Sequence, residues 1–121
     1  MRYVDGFILC VKKNQLKEYR KMAQLGAKTW KRYGALEYVE AMADDMTPEG
    51  VTFTFPKAAK AKPDEVVFFS FIVFKSRKHR DAVNKKVMAD PAMQPSQYKD
   101  RPMPFDMKRL SYGGFKAFVE A

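Results

Sequence analysis

His79 is the only histidine in the chain, and histidine is the side chain best suited to exchanging protons near neutral pH. Asp5 is the second candidate for acid–base work. It shares one face of an alternating stretch with Phe7, Leu9 and Val11, so a carboxylate is carried toward an apolar interior, where it must find a partner or take up a proton. The same carboxylate could instead hold Arg109 or Tyr112 on a neighbouring strand. Trp30 and Tyr33 close an apolar helical stripe and could line a cleft or simply pack in the core. Tyr38 shares a strand face with Leu36, Glu40 and Met42, and Glu37 and Glu40 are further strand acids. Ser70 is small among large neighbours, leaving room for a pocket or for Gly6 or Gly113 opposite. The candidate set is His79 and Asp5 for catalysis, with Trp30, Tyr38, Ser70 and Tyr112 for ligand contact.

Other chemistries lack their residues. One His and one Cys cannot build a zinc site, and neither a GxxxxGK[ST] loop, a GxGxxG turn nor a hydrolase elbow is present, so no metal and no cofactor is expected. Cys10 has no basic neighbour in sequence and reads as a small buried hydrophobe. The charge is the unusual quantity: 23 Lys and Arg against 14 acids give +9. That balance invites a polyanion, and it equally describes a solvated surface. Many of these cations flank or lie on two expected helices and would form one basic slab without the interleaved aromatics of a single-strand groove.

The elements that must position these residues are organised around Val66–Phe74. In that run only Ser70 is polar, and aromatic and β-branched residues fill it, as in a strand buried on both faces. Ser76 is a good N-cap for the helix that follows, and Asp90-Pro91 ends it. His79, a turn before Val83, then points toward the sheet. Tyr3–Val11 reads as the first strand, with Gly6 marking a bulge or a close approach. Gln15–Tyr33 reads as a helix, its stripe formed by Leu16, Tyr19, Ala23, Gly26, Trp30 and Tyr33 and its stop by Gly34. Leu36–Ala43 alternates as a half-buried strand. Within the loop-rich stretch 44–63, Val51, Phe53 and Phe55 suggest a short edge strand and 57–62 a helical turn. Residues 90–106 carry four of the seven prolines, which excludes a regular element and suggests a lid or partner-binding segment. Arg109–Val119 reads as the last strand, with Gly113-Gly114 at a close approach.

The order βαββαβ predicts one α+β domain over 1–121, a ferredoxin-like four-stranded antiparallel sheet with two helices on one face and the first and third strands central. Two helices cover one face only. Val67, Phe69, Phe71 and Val73 are as apolar as Val66, Phe68, Ile72 and Phe74, so whichever set the helices leave open forms an apolar patch, and the expectation is a homodimer through that sheet face. An RNA platform competes for that face, but the third strand lacks the Gly and basic residue of an RNA-recognition strand. No apolar run is long enough to span a bilayer, Asp5 interrupts any signal-like stretch, and a lone cysteine cannot form an internal disulfide, which together suggest a cytoplasmic protein and no membrane partner.

Tyr3-Val4-Asp5-Gly6-Phe7, Gly34-Ala35-Leu36-Glu37-Tyr38-Val39-Glu40 and His79-Arg80-Asp81-Ala82-Val83-Asn84 carry a resemblance, as do Met88-Ala89-Asp90-Pro91, Met103-Pro104-Phe105-Asp106 and Tyr112-Gly113-Gly114-Phe115. The chain resembles the YbaA-like family of uncharacterised bacterial proteins in the dimeric α+β barrel superfamily, with Phe71 where Trp and Met107 where Gly are common. The resemblance implies a ferredoxin-like homodimer and supplies no catalytic residues. Monooxygenase-like and isomerase-like reactions of the superfamily are analogy alone. The functional expectation is a small organic ligand, an anionic one included, bound or transformed in a cleft between helices and sheet. The alternative is a non-enzymatic module using its basic surface on RNA or another polyanion.

Overall fold

The computed structural model describes residues 1–94 and 103–121. Strand β1 spans Tyr3–Lys12, helix α1 Leu16–Arg32, β2 Glu37–Met42, a short α2 Phe55–Ala59, β3 Glu65–Phe74, α3 Arg77–Ala89 and β4 Ser111–Lys116. The strands form one antiparallel sheet in the order β2-β3-β1-β4. This is the ferredoxin-like α+β arrangement, and the two most apolar strands are central because each must be covered on both edges and on at least one face.

Register decides which residues meet. On β1–β3, Asp5 lies opposite Ile72, Phe7 opposite Ser70 and Leu9 opposite Phe68. On β2–β3, Glu40 lies opposite Ser70 and Tyr38 opposite Ile72. The face carrying Tyr3, Ile72 and Phe74 packs beneath Val83 and Val87 of α3, while Leu9, Val11 and Phe68 pack beneath Tyr19 of α1. Ser76 accepts from the His79 backbone N–H and so caps α3, and Asp90 stops it in an extended conformation before Pro91. Gly34, with φ 113°, turns the chain after α1, a conformation in which a Cβ is strained.

Three sequence expectations change. Residues 51–54 form no strand. Phe55 opens α2 instead, with Pro56 in its first turn, where the fixed proline φ suits a helix and its missing N–H costs nothing. α2 then covers one end of the second sheet face by packing Ala59 on Cys10 and Val67. Gly6 makes no bulge: its pairing with Phe71 and Gly113 is continuous, and its bare Cα is covered by the Phe115 ring. Gly114 is where the close approach occurs, since a Cβ there would strike the Tyr3 hydroxyl. Finally, the last strand is Ser111–Lys116 rather than Arg109–Val119: Met107–Arg109 is a single 3-10 turn, and pairing with β1 ends at Lys116 opposite Tyr3. Of the proline-rich segment, Pro91–Met93 forms a 3-10 turn and Phe105 bridges Val11; the expectation of a lid falls largely on residues 95–102, outside the described residues.

Candidate functional site

A cavity of about 450 Å³ lies between α1, the helix-covered sheet face and the chain on either side of residues 95–102. Its size suits a compact organic molecule. α1 contributes Met22, Ala23, Gly26 and Trp30, the floor is Phe7, Leu9 and Ile72, and Met88, Met93, Met103, Phe105 and Met107 close the far side. Five of the eight methionines therefore line one space. Their unbranched, polarisable side chains adapt to a guest better than branched ones.

The polar end of this apolar space is Glu40. Its Oε1 accepts from the Tyr38 hydroxyl at 2.9 Å, and its Oε2 accepts from the Tyr19 hydroxyl at 2.7 Å and from the Ser70 hydroxyl. Three elements converge here: α1 supplies Tyr19, β2 supplies Tyr38 and Glu40 two residues apart on one face, and β3 supplies Ser70 directly across from Glu40. Burial, followed by the Glu40 charge, pushes both phenols well above the usual tyrosine range, so they remain hydroxyl donors. Gly26 is what lets Tyr38 reach. A Cβ on Gly26 would stand 2.7 Å from the Tyr38 oxygen.

A second, outer cavity of about 440 Å³ lies on the other side of the same group, bounded by Leu16, Arg20, Gln24 and Met42. Tyr19, Ala23, Tyr38 and Glu40 line both spaces, so the carboxylate with its two phenols forms the partition.

Three of the six sequence candidates, Trp30, Tyr38 and Ser70, meet in the inner cavity. Tyr112, Asp5 and His79 do not line it. Asp5 is buried at 1% exposure and accepts from Arg80 at 2.9 Å, while Arg80 donates to the Tyr112 hydroxyl at 2.8 Å and lies 4.9 Å from the centre of the Tyr3 ring. Burial raises the Asp5 carboxyl, and the Arg80 charge opposes that rise. Arg80 thus takes the place expected for Arg109, which instead forks onto Glu65 with both contacts at 2.6 Å. Tyr112 stacks on Phe7, ring centres 4.8 Å apart, and so backs the cavity floor. Trp30 donates through its indole N–H to Asn84 at 2.9 Å. His79 sits where β3 passes into α3, its ring edge toward Phe74 and its Nδ1 accepting from the Lys75 backbone N–H at 3.0 Å. Cys10 is buried and free, with burial raising its thiol.

Glu40 itself was visible only as one strand acid among several. Its alternation with Tyr38 was the available signal, but its partners Tyr19 and Ser70 lie 21 and 30 residues away. Among the described residues no cluster of three metal-ligating side chains occurs, and no helix is long and apolar enough to cross a membrane.

The fold and cavity define a ferredoxin-like α+β protein with a methionine-rich space between helices and sheet. Residues 2–107 match the family described as "Protein of unknown function (DUF1428)", and the chain belongs to that family. It is 42% identical over 120 residues, 99% of each chain, to "Uncharacterized protein YbaA" of Escherichia coli K12, and equally to that of Shigella flexneri. Solved structures share the fold at low identity. A dimeric ferredoxin-like protein from an uncultured marine organism superposes with a TM-score of 0.59 at 11% identity, covering 100% of both chains. A NIPSNAP-like domain protein from Burkholderia xenovorans gives 0.55 at 14%, covering 99% of this chain and 90% of that one.

Proposed function

We propose that this chain is a homodimeric small-molecule-binding protein whose ligand occupies the inner cavity against Glu40. One observation carries the reading. A carboxylate with three hydroxyl donors stands at the end of a space otherwise lined by aromatic, aliphatic and thioether groups, the combination of apolar bulk and a few converging polar groups typical of ligand sites. His79 and Asp5 stand outside this space, so binding rather than acid–base turnover by those two residues is the function the cavity supports. An anionic head group is disfavoured by the Glu40 charge.

The second copy would cover the open sheet face. Val39, Phe69 and Phe115 are exposed there at 38%, 46% and 62%, with Phe55 beside them at 52%, and Phe55, Phe69 and Phe71 form a run of ring contacts. α2 shields only the Cys10–Val67 end. Burying a Phe side chain stabilises by roughly 1.5–3 kcal/mol, so several rings meeting their symmetry copies favour association. The dimeric ferredoxin-like structure of the same fold supports this reading. A cytoplasmic setting is part of the proposal, supported by the single unpaired Cys10.

The alternative, a polyanion on the exposed lysines and arginines of α1 and α3, is decided by the same experiment. Native mass spectrometry of freshly purified protein should give a dimer retaining a small organic molecule. A monomer overturns the sheet-face reading. Retained RNA that salt removes, with no small molecule, overturns the cavity reading in favour of the basic surface.

A further inference from the structure

The chemistry at the end of the cavity narrows the ligand class. Around Glu40 every hydroxyl proton is already spent: Tyr38, Tyr19 and Ser70 all donate to the carboxylate. What these groups still offer a ligand is acceptor capacity. A carboxylate has about four lone-pair positions. Oε2 receives two bonds and Oε1 only one, so one position on Oε1 is open, together with the lone pairs of the three hydroxyl oxygens. No Lys, Arg or His among the described residues pairs with Glu40; Arg20, across the partition, lines the outer cavity. Among the described residues the site therefore combines a half-buried carboxylate without a counter-charge and surplus acceptors in apolar surroundings, where such a charge is costly.

The group that answers both excesses is an ammonium, which brings positive charge and several N–H donors and no acceptor. Aromatic faces add to this. Trp30 of α1 and Tyr38 of β2 both line the cavity with ring centres 6.0 Å apart, and ring faces attract cations. The methionine-lined remainder suits an apolar body of variable shape. Resting on the cavity reading above, we infer that the ligand is an apolar organic amine, its ammonium on Glu40 and its hydrocarbon or aromatic part among Met22, Trp30, Met93 and Phe105.

Trp30 is the only tryptophan, so its fluorescence reports on this cavity directly. Three phenyl probes of similar size separate the outcomes: 2-phenylethylamine, 2-phenylethanol and phenylacetate. The expected result is saturable change in Trp30 emission with the amine, affinity for the alcohol weaker by about tenfold or more, as a charge-assisted hydrogen bond implies, and weaker still for the carboxylate. Glu40→Gln should bring amine and alcohol to equal affinity. An alcohol that binds as well as the amine, a carboxylate that binds best, or a preference surviving in Glu40→Gln overturns the amine assignment and leaves the cavity reading standing. No saturable response to any of the three overturns both. The ranking in the unaltered protein decides alone if Glu40→Gln does not fold.

Discussion

The Tyr38 hydroxyl occupies the space that a side chain on Gly26 would fill, 2.7 Å from where the Cβ would stand. A glycine inside a helix costs roughly 0.5–1 kcal/mol relative to alanine, and here it is what brings a phenol from the sheet to Glu40. Gly26→Ala is predicted to leave overall stability within about 1 kcal/mol, because the helix gains what the displaced hydroxyl loses. Tyr38 must then swing away from Glu40, so binding in the cavity should fall about tenfold. Tyr38→Phe should lose affinity by a similar factor. Urea unfolding and Trp30 fluorescence titration measure the two effects; unchanged affinity in both variants would show that the hydroxyl does not shape the site.

On the open sheet face the Phe69 and Phe115 rings are exposed at 46% and 62%. Phe69→Glu places a charge in the middle of the proposed contact, where two symmetry-related carboxylates would face each other without a partner. The variant is predicted to sediment as a folded monomer at concentrations where the parent is a dimer. A parent that is already monomeric at micromolar concentration contradicts the interface.

Acid stability has a specific source in Glu65. The Arg109 fork, together with the Lys62 backbone N–H, holds this carboxyl at about 2 against an ordinary 4.5. A depressed carboxyl contributes stability that is fully present above its unfolded-state pKa and is lost as pH falls through its folded value. Unfolding free energy should therefore decline from about pH 4.5 down to about 2. Glu65→Gln should flatten that slope, though not to zero, since Asp90 and Asp106 are also held low by hydrogen bonds. Urea midpoints at stepped pH measure it, and an unaltered slope would rule the pair out.

Arg80 and Asp5 form a buried pair, with side chains 13% and 2% exposed. Removing one partner of such a pair leaves a charge without compensation, at a cost of about 3–5 kcal/mol. Arg80→Met is predicted to destabilise by about that amount, and Asp5→Asn with Arg80→Met to recover most of it. In Arg80→Met the burial that raises the Asp5 carboxyl loses its main opposing influence, the Arg80 charge, so this variant should gain stability as pH falls from 7. A chemical-denaturation cycle with additive losses would contradict the coupling.

Much of the frame was legible in the residues themselves. The alternation of Tyr3–Val11 and the unbroken apolar run of Val66–Phe74 gave the central strands, because a period of two and a doubly apolar strand are local properties. Ser76, Asp90-Pro91 and Gly34 set the bounds of the helices through backbone chemistry confined to a few residues. The stretch 51–55 misled because Val51, Phe53 and Phe55 alternate like a strand, while Pro56 and the apolar Ala59 serve a short helix that caps the Cys10 end of the sheet. Three candidate ligand residues, Trp30, Tyr38 and Ser70, do share the cavity, but the group they surround was not singled out.

The sequence alone determined the βαββαβ order and a third strand apolar on both faces, one face more than two helices can cover, since each follows from periodicity and local caps; which face lies open was decided by the packing of α1 and α3. Only the tertiary structure decided that Glu40 collects Tyr19, Tyr38 and Ser70, that Asp5 belongs to Arg80 rather than Arg109, and that five methionines close over one space. Those choices depend on strand register and helix placement across tens of residues, and a shift of one residue along β2 would turn Glu40 to the opposite face.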